Sequence, residues 1–240
     1  MMKIIQNWLF SLALLLFVAS CAQEVKAPVD GIPPLSGEVE YEISYSKDIV
    51  SDLVVGQFLP KSFVGEYNKN GIRIGAGVGF GMVKFNLVLS PVDSYIDLKI
   101  PEDHLLVSLE DIIIKDSLDV YDAKFVVERD DNLVDVCGYK SKSMNISIDF
   151  AQTNNKHILP GNIEIFYAPI EGVDFAIAGV SQFTVPGLIT AMKLSSDDTS
   201  IMLMLKGIKE RPVSDEIFKR PSDAKIAKTE DLAELYSKVQ

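Results

Sequence analysis

From Gly37 onward the chain alternates apolar and polar residues with a period of two. In residues 38–46, Val39, Tyr41, Ile43 and Tyr45 fall on one face, and Glu38, Glu40, Glu42 and Ser44 on the other. That pattern predicts a strand with one buried and one wet face. Val83, Phe85, Leu87 and Leu89 alternate in the same way with Lys84, Asn86, Val88 and Ser90. Further strands are predicted at 94–100, 105–109, 123–129, 142–150, 163–168, 189–194 and 200–209, many of them separated by Pro, Gly, Asp or Asn clusters. Between Phe63-Val64-Gly65-Glu66-Tyr67 and Ile72-Arg73-Ile74, the run Asn68-Lys69-Asn70-Gly71 signals a hairpin turn. Ile201-Met202-Leu203-Met204-Leu205 is apolar on both faces, so something is expected to cover each side. Helical spacing is confined to the end, where Leu232, Leu235, Tyr236 and Val239 follow Thr229 as a plausible N-cap. Residues 47–59 fit neither period and are left as helical turns or an irregular connection. The fold class expected is mainly β: a large curved antiparallel sheet with a few short helices.

The first 21 residues carry a different pattern. Lys3 precedes the apolar run Trp8 to Val18, and the run ends in Val18-Ala19-Ser20-Cys21. A positive region, an apolar core and small residues before a cut site make a secretory signal. The run is shorter than the ~20 residues a spanning helix needs. Its cysteine resembles the one in the bacterial lipobox, which implies acylation of Cys21 and cleavage before it. A secretory signal with a chance cysteine is the alternative. Two or more acyl chains hold a protein stably on a bilayer, each buried methylene contributing about 0.8 kcal/mol. The expected organisation is a signal peptide over 1–20, a tether over 21–36 with Pro28, Pro33 and Pro34, a β-rich domain over 37–222 and a helical extension over 223–240.

Charge narrows the partners. Thirty-four acidic against 23 basic side chains give a formal net charge of −11. Such a chain repels phosphate backbones, which argues against nucleic acid and against a basic patch for anionic lipid. With Cys21 acylated, Cys137 has no intramolecular partner; inside an apparent strand, it is expected to pack as a small buried hydrophobe.

Gly75, Gly77, Gly79 and Gly81 alternate with Ala76, Val78, Phe80 and Met82. One face of that segment has no side chains, which marks a bend, a tightly covered sheet, a mobile loop or a bare wall for a flat or acyl ligand. The candidate ligand wall combines Gly77 and Gly79 with Phe85, Leu87, Met202 and Met204. The segment lacks both the dinucleotide fingerprint and the Walker loop. His104 and His157, the two histidines, have no second histidine or cysteine at metal-ligand spacing, so no metal site is expected. Gly179-Val180-Ser181-Gln182-Phe183 has Phe183 where a nucleophile elbow needs glycine. Asp130/Asp131 and Asp197/Asp198 fall between predicted strands and are expected in solvated turns. No catalytic residue, enzyme activity or cofactor is expected.

Four stretches resemble the GLPGLI family of small secreted envelope proteins of bacteria. They are Gly37-Glu38-Val39-Glu40-Tyr41, Val136-Cys137-Gly138-Tyr139-Lys140-Ser141, Ile163-Glu164-Ile165-Phe166-Tyr167 and Phe183-Thr184-Val185-Pro186-Gly187-Leu188-Ile189. Thr184-Val185 stands where that family has Gly-Leu, and Ser141 where it has cysteine. The resemblance implies a half-barrel similar to the LolA/LolB lipoprotein carriers, with an apolar cavity for acyl chains. It carries no activity with it. Ala22-Gln23-Glu24 lacks the aspartate that resembles an inner-membrane retention signal, which implies an outer-membrane lipid anchor, periplasmic or at the cell surface of a Gram-negative cell. Two roles are expected to compete: binding of a lipid or other apolar ligand, and interaction with an envelope protein partner through a domain whose core is filled.

Overall fold

The structure, a computed structural model, describes residues 31–46, 59–78, 83–91, 93–108, 123–150, 161–176, 184–196 and 199–227. Cys21, Gly79, His157, the Asp197/Asp198 pair and the segments 1–30, 47–58 and 228–240, with the predicted terminal helix, lie outside the described residues.

Fourteen strands are described. They are β1 (Gly37–Tyr45), β2 (Ser62–Asn68), β3 (Gly71–Val78), β4 (Val83–Leu89), β5 (Tyr95–Ile100), β6 (Asp103–Ser108) and β7 (Ala123–Val136), then β8 (Tyr139–Phe150), β9 (Asn162–Pro169), β10 (Phe175–Ala176), β11 (Thr184–Val185), β12 (Gly187–Ser196), β13 (Thr199–Glu210) and β14 (Lys225–Ile226). Twelve of them form one open curved sheet in the order β14-β6-β5-β4-β3-β2-β1-β13-β12-β9-β8-β7, and β10 pairs with β11 separately. Every pairing is antiparallel except the two-residue contact of β14 with β6. The helical content among the described residues is one 3-10 turn, Asp215–Phe218, capped where the Ser214 hydroxyl accepts from the Glu216 amide.

The period-two pattern decides which face is buried. Val39, Tyr41 and Ile43 of β1 sit opposite Gly65 and Phe63 of β2 and Ile208, Leu205 and Leu203 of β13. Through successive registers this inner face continues as Ile72 and Ile74, Leu89, Leu87 and Phe85, then Ile96 and Val107. All of these except Ile208 are buried. On the other wing Met192, Leu194, Ile165, Met144 and Ile146 continue the same core.

Curvature follows from three tyrosines. Tyr67 on β2 and Tyr139 on β8 belong to strands five steps apart, about 24 Å in a flat sheet at ~4.8 Å per step. Yet both lie close enough to Tyr41 and to each other for their charges to couple. The Tyr41 hydroxyl donates to the Ile189 carbonyl at 3.0 Å, across β13 to β12. Segment 31–36, expected as part of the tether, is instead docked over this closed end. The Lys140 amide donates to the Gly31 carbonyl at 3.1 Å, the Tyr67 hydroxyl to the Pro34 carbonyl at 2.7 Å, and the Ser36 hydroxyl to the Arg211 carbonyl at 2.9 Å.

Three local expectations change. Cys137 does not lie in a strand: with Gly138 it forms the two-residue turn of the β7–β8 hairpin, at φ 53° and 82°. Positive φ at both central residues is the twist that such hairpins prefer. Cys137 is half-buried there. Asp130 and Asp131 do not separate strands but mark a bulge inside β7, with the register slipping between Asp130 and Val134. The outer face of β13 is not fully covered, because Met202 there is 38% exposed.

Gly187 shows why one glycine is required. Its φ is +145°, and a Cβ there would lie 2.1 Å from the Ala168 carbonyl oxygen on β9. Gly187→Ala is expected to lower stability by roughly 2–4 kcal/mol through overpacking and backbone strain; an unchanged urea midpoint would contradict this packing. The tyrosines make a second expectation. Burial pushes the hydroxyls of Tyr41, Tyr45, Tyr67 and Tyr139 above their ordinary range, and that of Tyr95 up to about 12. Unfolded tyrosine loses its proton near pH 10, so above that pH the native state holds more protons and stability falls. The fully buried Tyr41 alone contributes a slope of about 1.4 kcal/mol per pH unit, with less from hydroxyls nearer the surface. Absorbance at 295 nm and circular dichroism are expected to change together in one alkaline transition. Ionisation of all eight tyrosines near pH 10 in a still-folded chain would refute it.

Candidate functional site

The concave face is not uniform from end to end. From the closed end to the middle of the sheet, Val39, Tyr67 and Leu188, then Tyr41, Phe63, Met144 and Ile165, are fully buried. The space these side chains face is filled by packed neighbours. Toward the opposite rim, where β1, β3 and β5 end and β2, β4 and β9 begin, burial decreases. Tyr45, Ala76, Leu98 and Ile163 lie on the inner face there and are only half-buried, packed against the rim of the core. The Tyr45 hydroxyl is held by the Pro60 carbonyl at 2.8 Å. Half-buried apolar side chains thus gather at this rim, beside buried partners such as Phe85, Leu105, Leu194 and Ile146, while at the other end Ile208 and Cys137 are also half-buried.

The six wall residues expected from sequence do not share one surface. Phe85 and Leu87 face inward and are buried in the core, Phe85 edge-on to Phe63 with ring centroids 5.6 Å apart. Gly77 pairs with Lys84 on the outer face. Met202 and Met204 pair with Ser44 and Glu42 and so take the outer face as well, though Met204 also touches the edge of the core. Gly79 lies outside the described residues. The half-buried rim residues Tyr45, Leu98 and Ile163 were missed. Their signal was visible as alternation, but nothing local marks where along a strand burial ends.

The glycine face at Gly75 is explained by close approach of another group. The Asn86 side chain lies across it: a Cβ at Gly75 would be 2.3 Å from the Asn86 Oδ1. From there the Asn86 amide donates to Asp97 Oδ2 at 3.0 Å. Gly75 and Asn86 belong to an open groove of about 300 Å³ on the outer face, lined also by Glu38, Val64, Glu66, Arg73 and Arg211. Its charges are compensated. Glu38 and Glu66 sit directly opposite each other on β1 and β2, and Arg211 pairs with both. Arg73 lies 3.7 Å from Asp97. Asp97 Oδ1 also meets His104 Nε2 at 2.6 Å, and His104 Nδ1 meets Asp223 Oδ2 at 3.0 Å. The Asp223 carboxyl is held below its usual range by that histidine. This ladder of side chains straps residues 211–227 to the outer face. It places no nucleophile beside a base, and among the described residues no group of three His, Cys, Asp or Glu side chains is arranged to hold a metal. Among the described residues, no helix is long and apolar enough to cross a membrane.

No family model matches the chain, and no curated protein does. Among solved structures, the Mycobacterium tuberculosis lipoprotein LppX is similar at 10% identity, over 75% of this chain and 89% of that one, with a TM-score of 0.31.

Proposed function

We propose that this chain is an acyl-anchored protein of the bacterial outer envelope that holds a lipid or other apolar molecule at the open rim of its concave sheet, without catalysis. The observation that carries the reading is the group of half-buried apolar side chains on the inner face at that rim. Tyr45, Ala76, Leu98 and Ile163 belong to two wings of one curved sheet, point to the same interior and are only half-buried. Removing such surface from water contributes roughly 25 cal/mol per Å², so an acyl chain laid against it is stabilised by burial alone. The anchor rests on the signal-like run before Cys21.

A second reading has its own observation. The closed half of the interior is filled, as a scaffold with no ligand would be, and a partner protein then takes the place of the lipid. The two readings separate on the chain carrying Cys21→Ser. With a ligand site, native mass spectrometry is expected to show co-purifying lipid, and Leu98→Glu to weaken binding of a fluorescent fatty acid at least about tenfold, equivalent to ~1.4 kcal/mol. Val64→Glu on the outer face is expected to leave binding unchanged. No lipid and no probe binding would leave the scaffold reading in its place. For the anchor, Cys21→Ser is expected to move the chain from the membrane pellet to the soluble fraction; retention in the pellet would exclude acylation as the tether.

A further inference from the structure

We infer that the closed end of the sheet rests on the lipid bilayer through exposed aliphatic side chains, so that the open rim points away from the anchoring membrane. The inference builds on the acyl anchor proposed above. Among the described residues, eight large apolar side chains are exposed, and four belong to this one end: Ile32 at 63%, Leu35 at 65%, Leu133 at 59% and Val134 at 44%. The other four, Val64, Val126, Met202 and Ile226, are distributed over β2, β7, β13 and β14.

Two structural features present these side chains rather than bury them. Ile32 and Leu35 belong to segment 31–36, which is fixed by the backbone bond from Lys140 to Gly31 and by Tyr67 on Pro34, while Pro33 is buried beneath. Their outward direction is therefore imposed by a docked backbone. Leu133 sits in the β7 bulge, where Asp130 Oδ1 accepts from both the amide and the side chain of Asn132 at 2.9 and 2.7 Å. The turn so formed removes Leu133 from the ladder with β8. Val134 follows where pairing resumes opposite Ser141, near the hairpin turn that Gly31 approaches.

Chain length identifies the surface these residues meet. Nine residues lie between Cys21 and Gly31, and the ten backbone steps that join them reach at most about 36 Å when fully extended. A body tied this closely by its closed end has that end nearest the lipid. Exposed aliphatics there insert at the headgroup–acyl boundary. The chain's net charge of −11 provides no attraction to anionic lipid, so the contact is apolar.

The sole tryptophan, Trp8, precedes Cys21, so the processed chain offers a background without tryptophan. Full chains carrying Leu133→Trp, Leu35→Trp or Glu102→Trp would be expressed, processed and reconstituted into phosphatidylcholine vesicles with brominated acyl chains. Glu102 is exposed at the opposite rim, between β5 and β6. The first two variants are expected to lose fluorescence at least about twofold, as side chains ~5–10 Å into the boundary would, and Glu102→Trp to be unaffected. If the protein sediments with vesicles but Leu133→Trp and Leu35→Trp are quenched no more than Glu102→Trp, the inference falls and the anchor stands. If it does not sediment, both fall. Protection of these positions by a protein partner in cells, without quenching in vesicles, also overturns it.

Discussion

Among the described residues, the antiparallel ladder between β1 and β13 is the strand pairing that joins the two halves of the sheet. On one side β1 to β6 form a meander; on the other, β13 connects through β12, β9 and β8 to β7. The ladder runs from Gly37 opposite Glu210 to Tyr45 opposite Ile201, with an irregularity at Glu40/Tyr41. Its partners are more than 150 residues apart, so the entropy of closing that loop is spent before the interior exists. The inner side chains of this ladder, Tyr41 with Leu205 and Ile43 with Leu203, lie at the centre of the core. Weakening them affects both wings together, because both wings contribute to the one core cluster that these side chains occupy.

Alternation was enough to place the strands, because each inward residue is paired with an inward residue on the next strand. In β1, Val39, Tyr41 and Ile43 were assigned to the buried face from their spacing alone, and their neighbours on β2 and β13 bury them. What sequence could not give was the face of one strand relative to a distant one. Met202 comes from a strand that is apolar on both faces and Leu87 from one that alternates; their apolar character alone groups them as one wall, yet the registers put Met202 opposite Ser44 and Leu87 opposite Ile74, on different sides. Cys137 misled for another reason. Its neighbours Val136 and Tyr139 have strand character, and only Gly138 signals the positive φ that both turn residues adopt. Gly75 was legible as a bare position; that Asn86 lies across it depends on a register the local sequence does not contain.

The outer face shows how an acidic sheet avoids self-repulsion. Glu38 opposite Glu66 is a like-charge cross-strand pair, which destabilises an antiparallel ladder on its own. Arg211, just past the end of β13, reaches both carboxylates and reverses the sign of that contact. The chain then continues across the outer face, held by Asn68 on the Val213 carbonyl, Tyr95 on the Phe218 and Lys219 carbonyls, and the two-bond pair of Arg220 with Asp93. It then runs alongside β6, where the two residues of β14 cover part of an otherwise open edge. Charge compensation and edge protection are therefore one structural element.

Two kinds of apolar surface result, and they differ in what they can accept. At the rim, Leu98 and Ile163 belong to a concave face, where a slender apolar chain gains contact on several sides. At the closed end, Leu35 and Leu133 project outward, and only a surface that deforms around them removes them from water. The dry region between them, with Tyr41, Phe63 and Leu203 fully buried, separates the two. A molecule entering at the rim does not reach the closed end without displacing packed side chains, which cores resist because their density leaves no slack. The proposed reception of a ligand and the inferred contact with a membrane thus fall at opposite ends of one sheet, with the filled core between them.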